Sequence, residues 1–153
     1  MTDRIGALAA VLVLTACGAS GFTSPLSLRY DPSTGVDVSR MERTESGLLM
    51  QTISEGWGDR PARRGDAVRI HYIGQFPDGR KFDSSIDRQE TMDFRIGLGE
   101  VIRGWEEGVT GMKVGGRRKI VVPPELGYGA RGIEDVVPPD QVLVFEIQLV
   151  ELN

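Results

Sequence analysis

The chain has 153 residues, with 18 lysines and arginines against 22 aspartates and glutamates, and a formal net charge of -4. This length suits one domain with some residues left for a leader or tail, and the acidic balance argues against nucleic acid as a partner. The single cysteine excludes an intrachain disulfide and a cysteine-rich zinc site, while the single histidine argues against most histidine-centred catalysis. We expect neither a metal nor a cofactor.

The first segment is typical of a bacterial lipoprotein leader. Arg4 precedes an uncharged, mostly apolar run over residues 5–16, which is short for a transmembrane helix but suits a signal peptide. The run ends in the letters LTAC at residues 14–17, which resemble a lipobox. We therefore predict a signal peptide over 1–16 and export to the bacterial cell envelope. A lipid on Cys17 would attach the protein to a membrane there. An ordinary secretory leader and an uncleaved apolar start remain alternatives.

The segment after the leader has no sustained period of 2 or 3.6. Residues 18–40 are rich in glycine, serine, threonine, proline and aspartate. This composition predicts a flexible, solvated tether over 17–40, beginning at the lipidated cysteine. A single domain then follows over 41–153.

Strand patterns dominate that domain. Residues 67–76 alternate between apolar and polar side chains, and Asp78-Gly79 then favours a hairpin turn before the strand resumes at Phe82. Further strands are predicted over 47–53, 92–96, 117–122 and 143–149.

One stretch has the helical period. Val101, Trp105, Val109 and Met112 form a single apolar stripe, although Gly104 and two further glycines make the stretch a poor helix by propensity. Packing must therefore hold this helix, with Trp105 as the anchor. The elements together predict an α+β domain in which a bent antiparallel β-sheet wraps around one short α-helix.

Between two of these strands runs a connection of unusual length. Residues 123–140 show no clear period but carry several apolar side chains. Connections longer than about 12–15 residues inside compact domains are usually functional or disordered. An apolar loop should fold back over something, most simply a pocket.

Six strings in the domain resemble the FK506-binding-protein (FKBP) family of peptidyl-prolyl cis-trans isomerases. They occur in the family's order over about residues 41–153, and the resemblance implies a half-barrel sheet with the helix's first turn at the floor of a pocket. The strings are GD (65–66), HYIG (71–74), DGRKFDSS (78–85), VIRGWEEG (101–108), GYG (127–129) and PP (138–139).

The resemblance also implies the residues of a site that accepts a proline ring. Trp105 would lie beneath the ring, Asp83 at the rim, and the Ile102 backbone N–H and the Tyr128 hydroxyl would donate to substrate carbonyls. The catalytic set is Asp83, Tyr128, Trp105, Phe82 and Tyr72, and the substrate-binding set is Val101, Ile102, Met92, Ile133 and Phe145. Met92 departs from the family, where an aromatic is usual, and Ile133 stands where other members often have histidine.

Rotation of an X–Pro bond breaks no bond, so the scarcity of histidine and cysteine suits this chemistry. The resemblance implies an isomerase that acts on proline-containing, unfolded or partly folded proteins and that binds macrolides such as FK506. Met92 and Ile133 favour an alternative, a proline-peptide-binding module without catalysis. A chaperone-like or structural envelope lipoprotein is a further alternative.

Overall fold

The structure is a computed structural model that describes residues 24–153, so the signal peptide and Cys17 lie outside the described residues. The described part contains one α-helix, α1 (Arg103–Val109). Its strands are β1 (Glu42–Arg43), β2 (Leu49–Ser54), β3 (Ala67–Gln75), β4 (Lys81–Ser84), β5 (Met92–Arg95), β6 (Arg117–Val122) and β7 (Leu143–Leu152). Four single-turn 3-10 helices lie at Pro25–Ser27, Pro32–Thr34, Val38–Arg40 and Pro124–Leu126.

The strands form one antiparallel sheet in the order β1-β2-β6-β7-β3-β4. β5 does not continue this order but pairs with the first half of β3, beside Ala67–Ile70. β4 pairs with the second half of the same strand, at Ile73–Gln75. The sheet stays open, and the predicted α+β architecture with one short helix is confirmed. β1 was not predicted.

β3 occupies a central position because its side chains alternate strictly between the two faces. Its even-numbered residues from Val68 to Gly74 are buried, while the odd-numbered ones are only partly buried. The long pairing with β7, from Val68 opposite Leu152 to Gln75 opposite Val144, fixes this register, with one bulge between Arg69 and Ile70. A shift by one residue would turn the whole apolar set outward.

α1 packs on the inner face of the sheet against β6. It is shorter than the predicted stripe, whose outer members Val101 and Met112 flank it. The glycines that weaken the helix allow this contact: a Cβ at Gly104 would lie 2.7 Å from Val122, and one at Gly108 would lie 3.0 Å from Ile120. Close packing therefore compensates for poor propensity.

The outer face of the sheet is covered by residues 24–41, which we call the N-terminal strap. The structure differs here from the flexible tether predicted by the sequence, because residues 24–40 form three 3-10 turns packed against the sheet. The side chains of Ser24, Asp31 and Asp37 cap these turns, and Thr34 is fully buried. Because a single turn buries residues at irregular spacing, the strap shows no hydrophobic period in the sequence.

Within residues 24–153, no helix combines the length and the apolar character needed to cross a membrane.

Candidate functional site

Between the inner face of the sheet and the start of α1 lies a cavity of about 430 Å³. The sequence predicts ten catalytic and substrate-binding residues, and nine of them line this cavity. The lining residues are Tyr72, Phe82, Asp83, Met92, Glu100, Val101, Ile102, Trp105, Tyr128 and Phe145. Glu100 is the one member that the sequence analysis did not name.

The floor of the cavity is a cluster of aromatic rings from three elements. Trp105, in the first turn of α1, has its ring centroid 4.5 Å from that of Tyr72 on β3 and 5.2 Å from that of Phe145 on β7. These pairs meet edge to face, which is a favoured geometry for aromatic rings. Trp105 is 6% exposed, and its indole N–H has no acceptor in the described part of the chain.

Phe82 completes the wall, and a glycine makes its position possible. Its ring centroid lies 5.7 Å from that of Phe145. A Cβ at Gly74, between them on β3, would come within 2.7 Å of Phe82 and 2.9 Å of Phe145. The string HYIG therefore contributes both an aromatic wall at Tyr72 and the space for two more rings at Gly74.

At the rim, a carboxylate is held by a phenol and a guanidinium. The Tyr72 hydroxyl donates to Asp83 Oδ2 at 2.5 Å, and the Ser84 backbone N–H donates to Asp83 Oδ1 at 2.8 Å. Arg88 donates to Asp83 Oδ1 through Nη1, and through Nη2 it donates to the Tyr72 hydroxyl at 2.9 Å. Its guanidinium also lies 5.8 Å from the centroid of the Tyr72 ring.

Sequence reasoning missed Arg88. It lies in the turn after β4, where the chain has neither a strand period nor a helical one. The available signal was its spacing, since it follows Asp83 by five residues in a region rich in turns. The ion pair anchors the turn to the rim of the cavity and fixes the direction of the Asp83 carboxylate.

Both phenols at the cavity are held in the protonated form. Burial raises the pKa of the Tyr72 hydroxyl, and its hydrogen bond to Asp83 adds to this effect although Arg88 opposes it. Burial also raises the pKa of Tyr128, with a smaller contribution from the charge of Asp83. Each hydroxyl therefore remains a hydrogen-bond donor through neutral pH.

Tyr128 reaches the cavity because the long loop folds back on itself. The 3-10 turn Pro124–Leu126 begins the loop, and the Gly129 N–H donates to the Pro124 carbonyl at 2.9 Å. The Asp140 N–H closes the other end by donating to the Gly129 carbonyl at 2.9 Å. The loop is thus an ordered wall of the site, as its apolar content indicates.

Ile133 is the predicted site residue that does not line this cavity. It bridges to Val137 within the loop and lines a second cavity of about 730 Å³, between the loop and the turn after β3. Phe76 lines the second cavity, and its ring centroid lies 4.9 Å from that of Phe82 in the first. The two rings form the partition between the cavities. The sequence could not distinguish the two sides of a loop without a period.

Ile102 is the N-cap residue of α1. It is the residue immediately before the helix, in an extended conformation, and no side chain caps the helix there. No side chain therefore occupies the backbone N–H groups at the start of α1, which lies at the cavity beside Val101 and Trp105.

Comparisons with known proteins agree with this geometry. The family model described as FKBP-type peptidyl-prolyl cis-trans isomerase matches residues 58–150. An FK506-binding protein of Neisseria meningitidis serogroup B is 44% identical over 106 residues, which cover 69% of this chain and 96% of the relative. An FK506-binding protein 1A of Emericella nidulans is 47% identical over 107 residues, covering 70% of this chain and 99% of the relative.

Solved structures show the same likeness. The crystal structure of AtFKBP13 superposes with a TM-score of 0.68 at 35% sequence identity, covering 74% of this chain and 98% of the other. FkpA from Escherichia coli gives a TM-score of 0.68 at 38% identity, covering 74% of this chain and 52% of FkpA. The match to the family model, over residues 58–150, includes every residue that lines the cavity.

Proposed function

Because the chain belongs to the FKBP-type peptidyl-prolyl cis-trans isomerase family and is such an isomerase, we propose that it accelerates X–Pro rotation in exported proteins as they fold. In this proposal the substrate's proline ring enters the aromatic cavity, and the amide before it twists at the rim. The proposal is carried by one observation, the convergence of five aromatic rings, two of them with a hydroxyl, and a paired carboxylate on one cavity.

The chemistry needs no nucleophile. A planar amide resists rotation with a barrier of about 18–20 kcal/mol because the nitrogen lone pair is shared with the carbonyl. As the bond twists, this sharing is lost and the charge separation falls, so a water-poor surrounding favours the twisted form over the planar one. Trp105 and Phe145 supply such a surrounding, since they are 6% and 1% exposed.

Polar groups at the rim then orient the peptide. The Tyr128 hydroxyl and the Ile102 backbone N–H are suited to donate to the substrate's carbonyls, as in the family's site. Asp83 lies where the twisting amide would pass, and Tyr72 and Arg88 keep its carboxylate fixed. Donors that are held in place before the substrate arrives need no reorganisation during rotation.

A matched pair of variants tests the role of the donor. Tyr128→Phe removes only a hydroxyl and should lower kcat/KM by about two- to tenfold, the worth of one neutral hydrogen bond. Thr110→Val removes a hydroxyl that donates to the Glu106 carbonyl at the end of α1 away from the cavity, and it should leave kcat/KM unchanged. The measurement is NMR exchange or a protease-coupled assay on an X–Pro peptide, with and without FK506.

Two outcomes would contradict this mechanism. Equal rates for Tyr128→Phe and the native protein would remove the donor from it. Measurable affinity for a proline peptide without turnover would favour the binding module instead. In that case Met92→Phe is the first variant to test for a gain of turnover, because Met92 lines the cavity where the family usually has an aromatic.

We also propose that the enzyme works at the cell envelope through a lipid on Cys17. Support comes from the sequence, in which the only cysteine follows a short apolar run and the letters LTA. Each buried CH2 of an acyl chain contributes about 0.8 kcal/mol, so several chains on one residue would anchor the protein stably. Mass spectrometry of the N-terminal peptide tests this directly, because an unmodified cysteine or an intact leader would contradict it.

A further inference from the structure

The N-terminal strap crosses the outer face of the sheet and reaches the hairpin that carries part of the active site. Its apolar side chains pack on a cluster that is separate from the inner core. The strap contributes Leu28, Tyr30, Val36, Val38 and Met41, and the cluster itself consists of Leu49, Val121 and Val144 in the sheet and Val142 just before β7. Burial of the Tyr30 ring is deep enough to raise the pKa of its hydroxyl to about 12.

A buried lysine fastens the middle of the strap. Lys119, on the outer face of β6, is 7% exposed, and its ammonium donates to the Thr34 carbonyl. The same nitrogen lies 3.2 Å from Glu146 Oε2 on β7. A buried ammonium is costly without partners, so the strap's carbonyl and the carboxylate stabilise the docked arrangement together.

The same middle part of the strap touches the turn between β3 and β4. The Asp31 N–H donates to the Pro77 carbonyl at 2.8 Å. Gly79 in the same turn faces the strap so closely that a Cβ there would overlap the Ser33 hydroxyl and come within 3.1 Å of Asp31 Oδ1. Two residues of the turn, Pro77 and Gly79, therefore lie against the strap.

β4 needs such a support because its own pairing is short. It joins the sheet only at the edge, through three residue pairs with β3, and the register shifts between Gly74 and Gln75. Yet β4 carries Phe82 and Asp83, which are a wall and the rim of the catalytic cavity. Two hydrogen bonds close the turn, from the Phe76 N–H to the Arg80 carbonyl at 2.8 Å and from the Gly79 N–H to the Phe76 carbonyl at 2.9 Å. A shift of the turn would therefore also shift β4.

We propose that the N-terminal strap is a positioning element of the isomerase, in which Asp31 and Ser33 hold the β3–β4 turn and thereby aim Phe82 and Asp83 at the substrate. The inference rests on the mechanism proposed above, but it concerns residues outside the cavity. It makes the strap part of the catalytic domain, although the family model begins to match only at residue 58.

The strap offers a matched pair of variants. Asp31 Oδ1 accepts from the Ser33 N–H at 2.9 Å and from the Ser33 hydroxyl at 2.6 Å, and Asp37 Oδ1 accepts from Ser39 in the same way at 3.1 and 2.6 Å. Asp31→Ala and Asp37→Ala in the full chain therefore remove equal caps, but only the first lies against the turn. Asp31→Asn keeps the acceptor and serves as the rescue variant.

We expect Asp31→Ala to lower kcat/KM about threefold to tenfold, since small misplacement of an active-site wall is costly. The loss should fall on kcat, because Trp105 and Phe145, which form the floor, lie outside the hairpin. Asp37→Ala and Asp31→Asn should match the native protein. Asp31→Pro keeps the φ of -63° but removes the N–H that binds Pro77, so it should lose at least as much as Asp31→Ala.

Amide hydrogen exchange of residues 76–84 provides a readout that does not need turnover. The Asp31→Ala and Asp31→Pro variants should exchange faster there, whereas Asp37→Ala should not. Equal kcat/KM for Asp31→Ala and Asp37→Ala, or unchanged exchange in the hairpin, would overturn the proposal. If the native protein showed no turnover, the mechanism would fail, while the exchange experiment would still decide whether the strap holds the hairpin.

Discussion

The two faces of the sheet are covered in different ways. On the inner face, a helix and alternating strands build a continuous core around Trp105, and several of the same side chains line the aromatic cavity. On the outer face, the N-terminal strap covers a small cluster that includes Leu49 and Val121, held by capped turns and by Lys119. Regular packing thus forms the site, whereas an irregular segment completes the domain.

The inner face should respond most strongly to the loss of Trp105. Trp105→Ala removes the ring that contacts both Tyr72 and Phe145, and truncation of a buried tryptophan typically costs about 3–5 kcal/mol of unfolding free energy. Binding of FK506 should be lost with it. Urea unfolding and a binding titration measure both effects.

The chain contains its own control for this variant. Trp57 is 79% exposed, so Trp57→Ala should change the free energy of unfolding by no more than about 0.5 kcal/mol. Comparable losses in the two variants would contradict the contrast between a packed ring and an exposed one.

The outer face should show an intermediate effect at Lys119. Lys119→Met keeps the apolar stem but leaves the Thr34 carbonyl without its donor, which should cost about 1–3 kcal/mol of unfolding free energy. Lys81→Met, which removes an exposed ammonium paired with Asp87, should stay within about 0.5 kcal/mol. Amide exchange across residues 24–41 should quicken only in the first variant, and unchanged exchange would show that the strap docks without the lysine.

The smallest effect concerns pH. Burial opposes the ionisation of Glu146, but hydrogen bonds from Arg117 and Lys119 outweigh it and hold the pKa of this carboxyl below its ordinary value. The folded pKa is depressed, so Glu146 stabilises the protein above the unfolded pKa, and this contribution disappears as the pH falls through the folded one. Glu146→Gln should therefore lower stability at neutral pH, and the deficit should shrink as the pH falls below about 4.5.

Thermal unfolding across the acidic range measures this change. Glu151→Gln, on the same strand, removes an exposed carboxylate that pairs with Arg69 and should change the free energy of unfolding at neutral pH by no more than about 0.5 kcal/mol. A deficit of Glu146→Gln that is constant at every pH would contradict the assignment.

The sequence predicts the inner face well and the outer face poorly, for a physical reason. Alternation in β3 and β7 and the spacing of Val101, Trp105 and Val109 report directly which side chains face the helix. The resemblance carried by the motif strings then predicts that Tyr72 and Tyr128, which are distant in sequence, share one site, and both line the cavity.

The missed features share the opposite property. Arg88 and Ile133 lie in segments without a period, so their side-chain directions depend on contacts made elsewhere in the chain. The strap has a composition typical of linkers, and its turns are stabilised by caps at Ser24, Asp31 and Asp37 rather than by an apolar stripe. Caps of this kind also occur in mobile loops, and only the partner surface, here Val121 and its neighbours, distinguishes the two.

The strap also sets how far the enzyme can move from its proposed anchor. A flexible tether over 17–40 would let the domain move farther from its anchor, but the first strap side chain that packs on the outer cluster is Leu28. The eleven Cα–Cα steps from Cys17 to Leu28 span at most about 40 Å. An acylated Cys17 would therefore hold the catalyst within a narrow layer above the lipid headgroups, where it would meet clients as they leave the membrane rather than search the wider compartment.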